Sequence, residues 1–179
     1  MAIVPDDKNW TWVLERACAE CGFDSGRFDV ATTSSVVIAN AKQWASILAE
    51  QHVRVRPTDN QWSALEYGCH VRDVFRLFER RLKLMLELDG PTFENWDQDI
   101  TAIEDAYDKQ DPAVVTRELV EAAQALAGRF STVAGDQWLR TGLRSDGAAF
   151  TVHTFAQYLI HDPVHHVHDA QSGYQKLAQ

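Results

Sequence analysis

The sequence predicts an all-α protein built as a four-helix bundle of the antiparallel type, and three observations carry that expectation. Apolar residues recur at helical spacing in four separate stretches. Capping residues or Gly-Pro stops stand at the ends of several of them. No alternation of strand and helix signals suggests a parallel sheet. The length of 179 residues suits one domain that buries a core without disulfides or other staples. We expect residues 1–33 to form an N-terminal arm packed on the bundle and residues 34–179 to form the bundle itself.

The first helix is expected from about Ser34 to Arg54, where Val37, Ala41, Trp44, Ala45 and Leu48 share a stripe behind the possible caps Ser34 and Ser35. The second runs from about Asn60 to Leu88 and stops at Gly90-Pro91; His70, Val74, Leu77 and Phe78 lie on its apolar face. The acidic, aromatic stretch from Pro91 to Gln110 reads as a long crossover connection with a short helix. Asp111-Pro112 opens the third helix, with Asp as cap and Pro at the first helical position. That helix continues to about Ala134. The glycines and Ser-Asp-Gly that follow indicate a turn-rich loop with short extended pieces. Thr154 and Gln157 have capping-box spacing at the start of the fourth helix. The arm is expected to carry one short helix around Trp12–Cys18.

With 17 Lys+Arg against 26 Asp+Glu and a formal charge of -9, the chain would repel a phosphate backbone, so no nucleic-acid partner is expected. No apolar run approaches the ~20 residues of a membrane span. Met1–Asp7 lacks the basic-then-apolar pattern of an export signal. A cytoplasmic protein with a small-molecule substrate fits these features. The cysteines Cys18, Cys21 and Cys69 are odd in number, which argues against a disulfide framework.

The chemistry concentrates in "IHDPVHHVHD", Ile160–Asp169, which holds four of the seven histidines. On a helix His161, His165 and His168 fall in one stripe, and His166 points elsewhere. Two imidazoles one turn apart make a weak metal site, so a third ligand must come from another element. His70 is the candidate, because it lies on the apolar face of the second helix. His70, His161 and His165 would form a three-histidine site with an open position, the arrangement of a catalytic metal. Imidazoles suit zinc or nickel first, and also copper or iron. Pro163 removes a hydrogen bond to Leu159 and predicts a kink. Such a bend could substitute His166 or His168 for His165.

Asp73, one turn beyond His70, could orient that imidazole or act as a base, or could pair with Arg72 or Arg76 on the surface. Asp162 and Asp169 admit the same two readings. Arg140 and Arg144, in the loop before the last helix, could meet an anionic substrate or thiol at the mouth of the site, or be solvated. Cys69 reads as core. Cys18-Ala19-Glu20-Cys21 is half of a zinc-ribbon spacing with no second half in sequence; a redox dithiol, a metal contact completed by another chain, and buried small residues are its options. We expect no catalytic role for it.

The stretches "EYGCHVRDVFRLFERRLKLML" and "FTVHTFAQYLIHDPVHHVHDAQ" together resemble the DinB-like superfamily of metal-binding helical bundles in its actinobacterial branch. "WTWVLERACAECGFD" and "WLRTGLRSDG" extend the resemblance over most of the chain. It implies a four-helix bundle, often dimeric, with one metal-binding histidine on the second helix and a His-x-x-x-His pair on the last, positions that match His70, His161 and His165. It also implies thiol-dependent S-transferases and isomerases, related to maleylpyruvate isomerase, that use low-molecular-weight thiols such as mycothiol. The common ending His-Arg-Gly-Gln is replaced here by His165-His166-Val167-His168. A divalent ion in such a site would favour the anion of a thiol or of water. The expected function is therefore a thiol-dependent transferase or isomerase acting on a small electrophile; the alternatives are a metal-dependent hydrolase and a ligand-binding stress protein without turnover.

Overall fold

The computed structural model describes residues 9–179. The first eight residues, which include the stretch read for an export signal, lie outside the described residues. Short 3-10 turns at Trp10–Leu14, Ser25–Arg27 and Val30–Thr32 carry the arm to α1, Thr33–Ile47. Asn9, Asp24 and Asp29 cap these turns by accepting from backbone N–H groups two residues on. The chain continues through α2 (Ala64–Glu87), β1 (Thr92–Phe93), α3 (Gln98–Glu104), α4 (Pro112–Phe130), β2 (Thr141–Arg144), β3 (Ala149–Thr151) and α5 (Val152–Leu177).

Helices α1, α2, α4 and α5 form the bundle. Both α1 and α2 pack against α4 and α5, so these first two helices occupy opposite corners. The core between them contains Trp44, Phe75, Leu82, Leu119, Phe155 and Leu159, all under 2 % exposed. Burying side chains of this size stabilises the fold by roughly 1.5–3 kcal/mol each. No helix among the described residues is long and apolar enough to cross a membrane.

Several boundaries differ from those read in the sequence, each for a local reason. Helix α1 ends at Ile47 rather than Arg54, because residues 49–52 are exposed and offer no apolar stripe to bury. The chain turns back there, and Val53 accepts a backbone hydrogen bond from Leu65 at 2.8 Å. Ser34 and Ser35 do not cap α1 but donate to the carbonyls of Ala127 and Thr32. The cap of α5 is Thr151, with Thr154 at the third helical position. The loop after α4 condenses into the antiparallel β2–β3 hairpin, to which β1, from the connection after α2, adds a third strand parallel to β2. Gly147, at φ +97°, closes the β2–β3 hairpin in a conformation that favours glycine.

Two packing relations position the functional side chains. Helix α2 lies beside α5, and the 3-10 turns of the arm pack along α5 from another side. Helix α5 therefore meets a different neighbour on each of two adjacent stripes.

Candidate metal centres

A helix turns about 100° per residue, so Asp162 and His166 form a stripe next to that of His161 and His165. It is the Asp162 stripe that faces α2. His70 is fully buried, and its Nε2 lies 3.3 Å from Asp162 Oδ2. One donor atom from each of His70, Asp162 and His166 lies within 4.8 Å of the others. The rings of His70 and His166 meet edge to face at 4.8 Å, while Trp96 stacks on His70 at 5.3 Å. Together Trp96 and His166 fix the orientation of the buried imidazole.

These residues fit a divalent ion by two observations. Their donor set of two imidazoles and a carboxylate is that of catalytic zinc sites with an open position. In addition, His70 Nδ1 and Asp162 Oδ1 are buried without a hydrogen-bond partner among the described residues, a state that costs about 1–3 kcal/mol per group unless something satisfies it. Burial works to raise the Asp162 carboxyl, but the imidazoles of His70 and His166 overcome it and hold the group down at about 2. The carboxylate is thus anionic and ready to bind a cation across the physiological range.

Asp162 and His166 of this group line a cleft of about 220 Å³, whose walls also include Trp10, Trp62, Tyr67 and Tyr158 and, from the neighbouring stripe, His161 and His165. Glu20, Asp99 and Asp169 also line it, and among the described residues no Lys or Arg does. His166 Nδ1 lies 3.0 Å from Asp169 Oδ2, which leaves Nε2, at 3.8 Å from Asp162 Oδ2, as the nitrogen turned to the site. Burial tends to raise Asp169, but its hydrogen bond with His166 holds it below the usual carboxylate range. A carboxylate fixing the far nitrogen of a ligand histidine sets its tautomer and raises its basicity.

His161 and His165 belong to a different group. Their rings lie 5.0 Å apart, one turn along α5, and the helix runs uninterrupted through Pro163. The turn after the proline is anchored by Asn40, which donates to the Pro163 carbonyl at 2.9 Å. One nitrogen of each histidine and the sulfurs of Cys18 and Cys21 lie within 4.8 Å of one another. Cys18 Sγ stands 3.6 Å from His165 Nδ1. Burial lowers His161 to about 4, with the neighbouring His165 adding to the effect, and burial lowers His165 too. Both are therefore neutral at pH 7 and able to act as ligands. Burial pushes the Cys21 thiol up to about 11. The expected set of His70, His161 and His165 is thus divided by the structure, because His70 faces the stripe one residue further along α5. His168 is exposed and joins neither group.

The other expected site residues have their partners elsewhere. Asp73 accepts from Arg72 Nε and Nη2 at 2.9 Å each and from Tyr107 Oη at 2.6 Å. Burial would raise its carboxyl, yet Arg72 and the Tyr107 hydroxyl hold it below the usual range. This network ties α2 to α4 through Glu118, which accepts from both Arg72 and Arg76. Arg140 donates to the carbonyls of Met85 and Leu88, where α2 ends. Arg144 pairs with Asp146 and donates to Tyr158 Oη at 3.2 Å, so it stands behind a wall of the cleft. Cys69 is buried in the core, its thiol raised to about 12 by burial.

With this geometry in view, comparison with known proteins settles the family. The model of the DinB superfamily matches residues 36–170. The chain belongs to the DinB superfamily. Among solved structures it is similar to YfiT from Bacillus subtilis, described as a probable metal-dependent hydrolase with an unusual four-helix bundle topology. The TM-score is 0.70 at 18 % identity, over 83 % of this chain and 86 % of that one. At that identity the likeness establishes the DinB bundle fold. No curated protein matches the sequence significantly. The family match begins after the arm, so Cys18 and Cys21 lie outside it.

Proposed function

We propose that this DinB superfamily chain is a metal-dependent enzyme whose centre is His70, Asp162 and His166, and that it joins a low-molecular-weight thiol to a small electrophile or isomerises one through such an adduct. The observation that carries the proposal is the three-donor group whose Asp162 and His166 face the aromatic cleft. A closed set of ligands would serve structure alone. A divalent ion, zinc or nickel, supplies Lewis acidity when bound there and favours the anion of a thiol or of water near neutral pH.

The chain's own residues prepare the rest. His70 is locked by Trp96 and Trp62, and His166 is held through Nδ1 by Asp169, so two ligands are oriented before anything binds. Trp10, Trp62 and Tyr67 offer flat apolar walls to a small carbon skeleton. The acidic lining disfavours an anionic substrate. Asp73, Arg140 and Arg144 take no direct part in this reading, since their charges are engaged in the α2–α4 network, at the end of α2 and behind Tyr158.

Hydrolysis is the second reading, favoured by the acidic lining and the two-histidine, one-carboxylate donor set. Here Glu20, Asp99 or Asp169, all lining the cleft, would receive a proton from water. The test is a metal-replete protein assayed for loss of free thiol against a panel of small electrophiles, with mycothiol among the thiols, beside a panel of esters and amides without thiol. Thiol consumption abolished by His70→Ala or His166→Ala supports the proposal. Metal-dependent ester or amide cleavage without thiol selects the hydrolase. A bound ion with neither activity overturns both.

A further inference from the structure

We propose that the chain carries a second metal site, separate from the open centre, in which Cys18, Cys21, His161 and His165 hold a zinc-class divalent ion and fasten the N-terminal arm to α5. The composition of the cluster comes first. Two thiols and two imidazoles are the donor set of closed structural zinc sites, and soft sulfur donors select zinc over magnesium or calcium. The spacing agrees on both sides: Cys-x2-Cys on the arm and His-x3-His on α5 both lie within the ranges such sites use. A distance of 147 positions separates Cys18 from His165, so the pattern becomes a site only through the fold.

Geometry supports the assignment. A tetrahedral zinc with ordinary bond lengths needs donor-to-donor edges of about 3.3–3.8 Å. Cys18 Sγ and His165 Nδ1 already stand at 3.6 Å, and the whole group lies within 4.8 Å. Movement of about an ångström closes the rest. The cysteines sit on a tight turn: Gly22 donates to the Cys18 carbonyl at 2.9 Å and Cys18 to the Phe23 carbonyl at 2.8 Å. Gly22 has φ +75°, which favours glycine directly after the second cysteine. His161 Nε2 is buried with no hydrogen-bond partner among the described residues, an independent sign that the cluster lacks a component. Cys18, His161 and His165 are 3 %, 4 % and 6 % exposed, while Cys21 is half-buried and both histidines border the cleft, so three of the four donors are largely withdrawn from solvent.

The far side of His165 fits as well. Its Nε2 lies 3.4 Å from Glu20 Oε2 and 3.7 Å from Asp169 Oδ2. With Nδ1 turned to Cys18, Nε2 faces these carboxylates, the side on which zinc-bound histidines usually meet one. Glu20, His165 and Asp169 could themselves gather a cation through Nε2. That weaker, partly exposed oxygen-rich group excludes neither thiol and does not explain their placement. Because Trp10 lies over both histidines, with ring centroids at 5.4 and 5.3 Å, and also lines the cleft, the second ion would hold one wall of the open centre in place. No electron transfer is needed: binding exchanges two thiol protons for the ion.

Cobalt substitution of the full chain provides the test. Protein prepared under reducing conditions, stripped with chelator and titrated with Co²⁺ should develop thiolate-to-cobalt charge transfer and the intense visible bands of a tetrahedral ion. Zn²⁺ should bleach both, and two thiols should become resistant to a thiol reagent on Zn²⁺ addition. These signals should survive His70→Ala and vanish in Cys18→Ser/Cys21→Ser. Should that double variant unfold, the wild-type spectrum and the His161→Ala spectrum decide alone. Co²⁺ binding without thiolate charge transfer, or thiols equally reactive with and without Zn²⁺, overturns the proposal. Because His70→Ala reports on the open centre and the cysteine variant on this one, failure of either is seen separately.

Discussion

Asp169 is the residue on which both groups of α5 converge: it lies 3.0 Å from His166 Nδ1 and 3.7 Å from His165 Nε2. Removing a carboxylate that orients a ligand histidine typically costs about 10–100-fold in metal affinity. We therefore expect Asp169→Ala to weaken metal binding by about that factor, measured by competition with a chelator, while far-UV circular dichroism stays unchanged. His161 gives a pH dependence of opposite origin. Burial lowers it from 6.5 to about 4, so between those values the unfolded chain binds more protons than the folded one, and stability falls as pH drops. Metal-free protein should be less stable at pH 5 than at pH 7 by up to about 2 kcal/mol in urea titrations. His161→Ala should flatten that slope. A metal-free wild type whose stability is level over this window would contradict the assigned burial.

At the scale of elements, the charged residues that the sequence offers as candidates for chemistry hold helices together. Asp73 holds Arg72 and Arg76, which reach Glu118 of α4, and accepts from Tyr107 in the connection before α4, while Arg140 satisfies carbonyls where α2 ends. Breaking a buried ion pair by removing one partner costs about 3–5 kcal/mol, and losing charged hydrogen bonds about 1.5–3 kcal/mol. Asp73→Asn and Arg140→Ala should thus lower the melting temperature while leaving metal content and, below the melt, activity unchanged. Loss of the ion in either variant would return that residue to the site. The four long helices were legible because each carries a continuous apolar stripe with end signals, Asp111-Pro112 being the clearest. The end of α1 and the start of α5 were less so. One depends on where the stripe fails to find a partner, the other on a short sheet whose pairing between β1 and β2 is non-local.

Across the whole molecule, a candidate metal site on α5 is legible in the sequence, but not the division of its histidines. His161/His165 and Asp162/His166 have the same one-turn spacing, so spacing alone cannot decide which stripe His70 meets. Only the packing of α2 beside α5 does. The Cys18–Cys21 pair was visible as half a metal motif, and its other half lay in the histidines already assigned to His70. A bundle that places an arm and a helix on neighbouring stripes of α5 can hold two metal groups a single residue apart in register. The most direct measurement is metal stoichiometry by elemental analysis of untagged protein carrying paired substitutions. If His70 and Asp162 share one ion, His70→Ala, Asp162→Ala and the double variant should each lose the same single ion. His70→Ala combined with His161→Ala should then lose a further ion if the cysteine site is filled, and no further ion if it is not. The account is contradicted if Asp162→Ala keeps the full complement while His161→Ala removes the ion that His70→Ala removes, which would place His70 with His161 and His165 after all.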